Sequence, residues 1–312
     1  MKEQIIYSTS SLYRDDFRVR AYTFGEGEKS LCVVGSMRGN EYQQAFICSQ
    51  IVKSMTEWEA AGRMLPGKEV MVIPSVNPSS MNMRKSFWPI DNTDINRMFP
   101  GYDLGETTQR IAAGVFEVIN KYQAGVQLTS FYMPGDFSPH VRMMQTGFEN
   151  PVLAEAFGLP YIVIRQPRPY DTTTLNFNWQ IWETNAYSLY SNTTGRIDKA
   201  GAGLVVGGIE RFLICSGVLT GSVSPAPKAR VFMYDDMLTC RASAAGLYYP
   251  LVNADAHVTG GQPLGEIYDP LTGAVSETLT APADGVVFFQ HGDPVIFQHT
   301  AAVKLLPDEG SV

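Results

Sequence analysis

The chain has 312 residues, a formal net charge of −7 and 18% charged residues. An acidic protein without lysine or arginine runs is poorly suited to nucleic acid or an anionic membrane surface, which leaves a small molecule or another protein as partner. No stretch is long and apolar enough to span a bilayer, and the opening MKEQIIYSTS lacks a signal-peptide core, so the sequence predicts a soluble cytoplasmic protein of one or two domains.

In chain order, a buried-looking strand (SLCVVGS) leads through the turn GSMRGNE into an amphipathic helix over residues 42–61, where Ile47, Ile51, Met55 and Trp58 recur on one face. A second apolar strand (KEVMVIPSVN), a helix over 106–122, and the strands AGVQLTSF and LPYIVIR follow. Continuous apolar strands alternating with helices predict an α/β domain whose sheet is covered on both faces. Its last helix is predicted over 202–216, closed by Gly217. The run TLNFNWQIWETNAYSLYSN spaces its aromatics as a strand does, and Trp179, Trp182, Tyr187 and Tyr190 are candidates to border a pocket.

Beyond GSVSPAPKAR the texture changes to short strands broken by Gly, Pro and Asp. CRASAAGLYYP (240–250) is echoed by LTAPADGVVFF (279–289), which predicts a small barrel of two related halves, similar to a lipoyl-type barrel-sandwich but without the lysine a carrier modifies. The predicted division is an α/β domain over 1–221 and a β-barrel over 222–312. Cys32, Cys48, Cys215 and Cys240 form no CxxC pair and read as buried thiols.

The segment SVNPSSMNMRKSFWPIDNTDINRMFPG (75–101) carries the clearest chemistry. Arg84, Asn96 and Arg97 offer guanidinium and amide donors suited to both oxygens of a carboxylate, although Asp91 and Asp94 are equally placed to neutralise the arginines as ion pairs.

VNP, then an arginine, then DINRMFPG resembles the signature of the succinylglutamate desuccinylase/aspartoacylase family, the deacylase branch of the zinc carboxypeptidase-like fold. GNEYQ, SPHVRM, TGRID and the C-terminal barrel extend the resemblance over nearly the whole chain. It implies a mixed central sheet flanked by helices, and hydrolysis of an N-acyl amino acid at zinc held by two histidines and a glutamate, with a second glutamate as general base. In this chain Glu41 matches the glutamate ligand, whereas Arg38 and Thr129 stand at the two histidine positions. Tyr190, or with a gap Glu183, falls at the general base. His140 in SPHVRM matches a position the family does not use as a ligand; His257, His291 and His299 lie in the barrel.

A guanidinium is permanently cationic and repels a metal ion, so an Arg38–Glu41 pair is expected to replace the ion and no cofactor is expected. The favoured reading is a divergent family member that has lost zinc and hydrolysis but keeps a carboxylate pocket at Arg84, Asn96 and Arg97 for a ligand such as an N-acyl amino acid. An active paralogue or an oligomer fits as its partner. The alternative is an active metal-dependent deacylase with a variant zinc site, in which Glu41 or His140 supplies ligands. A third reading is a metal-free enzyme in which Arg38 polarises a carbonyl.

Overall fold

The computed structural model describes residues 1–13 and 15–310. Ten strands come from the first part of the chain: β1 (Lys2–Thr9), β2 (Phe17–Gly25), β3 (Gly27–Ser36), β4 (Gly67–Ser75), β5 (Ala124–Leu128), β6 (Gly135–Phe137), β7 (His140–Met144), β8 (Tyr161–Arg165), β9 (Asn185–Tyr190) and β10 (Arg230–Met233). Six helices lie among them: α1 (Tyr42–Ala60), α2 (Pro78–Asn82), α3 (Thr107–Ile119), α4 (Pro151–Ala154), α5 (Leu175–Ile181) and α6 (Lys199–Cys215). Nine strands form one mixed sheet in the order β1-β2-β4-β3-β5-β9-β7-β8-β10.

Side-chain alternation divides two cores across this sheet. Val126, Leu128, Tyr187 and Leu189 face α1 and α6, where they meet Ile47, Ile51, Met55, Val205 and Phe212. Cys32, Val34 and Ala186 face α3 and α5, represented by Ile111, Val115 and Trp179. The helical period read over 42–61 thus corresponds to α1, with Trp58 partly buried at its end. Asp198 caps α6, its Oδ1 accepting from the Ala200 N–H at 2.9 Å, and Gly217 follows the helix at φ +67°.

The central strands explain where a site forms. β3, β4, β5 and β9 run parallel, but β7 is antiparallel to β9, with β8 and β10 following β7. The C-terminal ends of β3, β5 and β9 therefore open beside the start of β7, where His140 pairs with Tyr190. Such a change of direction leaves a crevice at the strand ends.

The C-terminal part forms two packed antiparallel sheets from β11 (Leu238–Arg241), β12 (Gly246–Pro250), β13 (His257–Val258), β14 (Pro263–Tyr268), β15 (Val275–Thr280), β16 (Gly285–His291), β17 (Val295–Ile296) and β18 (Ala301–Pro307). One has the order β11-β18-β16-β13 and the other β15-β14-β12-β17, with Leu264, Ile267, Val287 and Leu305 between them. The repeated glycines open equivalent strands, Gly246 in β12 and Gly285 in β16, each pressed against a neighbouring backbone carbonyl where a Cβ would clash.

Three expectations change. β10 comes from beyond residue 221 yet pairs with β8, so the α/β sheet closes after the predicted division and the barrel strands begin at Leu238; β6 in turn joins the barrel sheet through β16. Strand-end pairing, not composition, sets this boundary. The aromatic run is half helix: Leu175–Ile181 is α5, and only Asn185–Tyr190 is a strand. Cys32 and Cys48 are buried, their thiols pushed up by desolvation, but Cys215 is exposed on α6 and Cys240 is half-buried. Among the described residues, no helix is long and apolar enough to cross a membrane.

Candidate functional site

The turn after β3 is organised by one carboxylate. Glu41, only 2% exposed, accepts the Met37 and Arg38 N–H groups at 2.8 and 3.0 Å and the Ser130 hydroxyl at 3.0 Å. Its remaining contact, from Arg38 Nη1, is long at 3.4 Å. The stronger partner of Arg38 is Asp94, whose Oδ2 accepts from Nη2 at 2.7 Å and Nε at 3.1 Å. The expected Arg38–Glu41 pair is thus secondary, because Glu41 is already committed to the backbone of its own turn. Burial alone would pull the Arg38 guanidinium down, but Glu41 and then Asp94 outweigh it and hold the group cationic.

Asp94 does two jobs. Its Oδ1 caps the one-turn helix Ile95–Arg97 through the Asn96 N–H at 3.1 Å, while Oδ2 holds Arg38. That turn presents Asn96, which accepts from Gln127 Nε2 at 3.0 Å, and Arg97, which donates to the Tyr170 carbonyl at 2.6 Å. Both line a cavity of about 580 Å³ together with Arg38, Thr129 and Tyr190. Arg84 does not join them: it is exposed, at φ +53°, and lies outside the lining. Glu183 is likewise exposed at φ +66° beyond α5 and does not reach the cavity.

Of the candidate aromatics, only Tyr190 borders the cavity. Trp179 is buried against Gly125, Tyr187 packs on Phe157 and Phe212, and Trp182 is largely exposed against Phe116. Tyr190 stacks on His140 with centroids 4.2 Å apart, and Arg142 lies over its ring at 4.7 Å. Burial raises the Tyr190 phenol, so it remains protonated and able to donate. His140 is buried, donates Nδ1–H to the Ser138 carbonyl at 2.7 Å, and is pulled down to about 3 by burial, so it is a neutral structural imidazole.

The rest of the cavity wall is basic. Seven cations (Arg38, Arg97, Arg142, Arg165, Arg168, Arg241 and Lys304) face it against two carboxylates, Asp171 and Asp235. Arg142 and Gln127 sit on buried strands with their neighbours turned to the opposite core, which orients them inward. Arg241 and Lys304 come from barrel strands β11 and β18, so both parts of the chain build one site. The sequence reading missed these residues; a lone arginine inside the strand HVRMM was the available signal.

Residues 28–180 match the sequence profile of the succinylglutamate desuccinylase/aspartoacylase catalytic domain. This stretch, most of the α/β part, carries the family's catalytic-domain profile. A similar relative is the N-alpha-acetyl-L-2,4-diaminobutyric acid deacetylase of Halomonas elongata, 21% identical over 294 residues that cover 84% of this chain and 77% of the relative. Two solved structures share the fold. A succinylglutamate desuccinylase/aspartoacylase from Rhodobacter sphaeroides aligns with a TM-score of 0.78 and 22% identity, covering 97% of this chain and 94% of that one. The product-bound ectoine utilization protein EutE of Ruegeria pomeroyi aligns with a TM-score of 0.78 and 17% identity, covering 93% and 89%.

A zinc site needs about four neutral-nitrogen or anionic donors around one point. Where the resemblance places the metal ligands stand a fixed guanidinium, a threonine hydroxyl and a carboxylate already taken up by two backbone N–H groups, a serine and Arg38. These residues do not fit the ion. Among the described residues, no three His, Cys, Asp or Glu side chains group as metal donors.

Proposed function

We propose that this family member is a cytoplasmic protein that binds a small carboxylate-bearing ligand, of the N-acyl amino acid type, without hydrolysing it through zinc. The observation that carries this reading is Arg38, a buried guanidinium clamped by Asp94 and Glu41 on the turn where the resemblance places a metal-binding histidine. A fixed cation there can hold an anionic or carbonyl oxygen, but it cannot supply the low-pKa water that a zinc ion provides. Asn96 and Arg97 give the ligand carboxylate an amide and a guanidinium donor. The Tyr190 phenol, kept protonated by burial, is suited to donating a hydrogen bond and unsuited to accepting a proton from water. An active paralogue or a second copy of the chain is the partner this role suits.

Elemental analysis of the purified protein after dialysis against a chelator, followed by turnover assays on a panel of N-acyl amino acids with and without added zinc, tests the reading. Little zinc and no turnover, with calorimetric binding of a carboxylate ligand, is the expected outcome. Near-stoichiometric zinc or zinc-dependent hydrolysis would replace it with the variant-site deacylase.

A further inference from the structure

The cavity holds more positive charge than a single carboxylate requires. Counting Asp94 and Glu41 behind Arg38 with the two lining carboxylates, seven cations face four acids, an excess of three in a chain whose overall charge is −7. Among the described residues, the charged side-chain groups of Arg142, Arg168, Arg241 and Lys304 have no carboxylate oxygen within 4.0 Å.

These charges also converge. Tyr170 gathers three guanidinium groups: Arg97 lies over its ring at 5.3 Å, and Arg165 and Arg168 both donate to its hydroxyl at 3.1 Å. Tyr234 carries Arg165 at 5.3 Å and Lys304 at 4.8 Å from its ring centroid. Bringing like charges onto shared aromatic rings is unfavourable unless anions offset them, and Asp171, at 3.0 Å from Arg165 Nη2, offsets one of them.

Donor capacity is left over at the same place. Lys304 is only 8% exposed, and its ammonium makes one hydrogen bond, to the Thr239 hydroxyl at 3.3 Å. Arg165 Nε has no partner, and Asn176, 2% exposed on the cavity wall, has neither amide atom paired among the described residues. Unsatisfied buried groups of this kind cost stability unless a ligand or water completes them.

Resting on the reading of this cavity as the site of a carboxylate-bearing ligand, but replacing the N-acyl amino acid type given for it above, we infer that its ligand is a phosphorylated small carboxylic acid. The carboxylate lies at Asn96 and Arg97, and the phosphoryl group among Arg142, Arg165, Arg168 and Lys304. A phosphoryl group brings a charge of roughly −2 and three strong acceptor oxygens, and with one carboxylate it matches the excess of three; a second carboxylate brings one charge and two oxygens.

Calorimetry on the full chain with 3-phosphoglycerate, glycerate, citrate, N-acetylglutamate and inorganic phosphate separates the alternatives. 3-Phosphoglycerate is expected to bind about a hundredfold more tightly than glycerate and about tenfold more tightly than citrate, with inorganic phosphate competing. Lys304→Met and Arg168→Gln are each expected to weaken the phosphorylated ligand about tenfold and glycerate less than about threefold. Arg168 is exposed, so its variant keeps the test valid if the Lys304 variant fails to fold. Citrate or N-acetylglutamate binding as tightly as 3-phosphoglycerate, or an unchanged affinity in the Arg168 variant, overturns the inference. Zinc-dependent hydrolysis alongside an intact phosphoryl preference would sink only the non-hydrolytic reading; a zinc-free protein without that preference would sink only this one.

Discussion

Arg38→Met tests whether the buried guanidinium is the keystone of the turn. The replacement fills similar space and removes three contacts: two to Asp94, at 2.7 and 3.1 Å, and the longer one to Glu41. Arg38 and Asp94 side chains are each 10% exposed, and removing one member of such a pair typically costs about 3–5 kcal/mol, because the other charge stays buried alone. Here the two carboxylates do not suffer equally. Glu41 keeps two backbone N–H groups and Ser130, whereas Asp94 keeps only the Asn96 N–H and the more distant Arg97 at 3.9 Å. The loss is therefore expected at the lower end, about 3 kcal/mol, and most of it should belong to Asp94. Guanidinium chloride unfolding followed by tryptophan fluorescence is the assay, since Trp58, Trp88, Trp179 and Trp182 all lie in the α/β part. A cycle with Asp94→Asn should return a coupling of about 2 kcal/mol. A loss under about 1 kcal/mol, or a coupling near zero, would refute the argument that this pair is desolvated and structural.

The architecture was largely legible because periodicity survives in single residues. Ile47, Ile51 and Met55 give α1 its face, and the apolar runs of β3, β4 and β5 betray a sheet covered twice. β2 left a legible alternation, with Phe17, Val19 and Ala21 buried and Arg18 and Arg20 exposed, that the sequence reading passed over. The aromatic run misled because α5 is only seven residues long, too short to impose a helical period on TLNFNWQI. β10 falls within the predicted barrel because it follows the change of texture at GSVSPAPKAR; its partner is set by parallel pairing with β8, a long-range contact that composition does not encode.

At the site, local signals were readable and convergence was not. The segment around DINR stood out by its donors, and Asn96 and Arg97 do line one cavity with Arg38. Arg84 carried the same donor chemistry, yet a left-handed backbone turns that residue to solvent. Nothing adjacent in sequence links Arg97, Arg165, Arg168 and Lys304. Arg97, Arg165 and Arg168 meet at Tyr170 inside the α/β part, and Lys304 joins them because the barrel docks through Phe288 and Leu306 onto Val163 and Phe232, which carries β18 over the crevice.

Arg38→His combined with Thr129→His should raise zinc affinity by about two orders of magnitude or more in calorimetry, and N-acyl amino acid turnover should remain absent because Tyr190 is a poor base. Turnover in that variant would place a general base elsewhere. Gly285→Ala and Gly246→Ala should each destabilise the barrel by about 1–3 kcal/mol, since a Cβ meets the Leu306 or Tyr268 carbonyl; thermal unfolding at wild-type midpoint for both would discount the paired strand openings. His140 should make the protein acid-sensitive. Burial holds its folded imidazole near 3 against an ordinary 6.5, so between these values the unfolded chain binds the extra proton. Its contribution to stability is complete above 6.5 and is lost as pH falls toward 3, with a slope of about 1.4 kcal/mol per pH unit. His140→Asn removes the titrating group while keeping a side-chain donor for the Ser138 carbonyl, so the difference in unfolding free energy between wild type and variant should narrow steadily over that range. A difference that stays constant with pH would mean that His140 titrates alike in both states, and that the stacked Tyr190–His140 wall beside the cavity is not the desolvated environment argued for it.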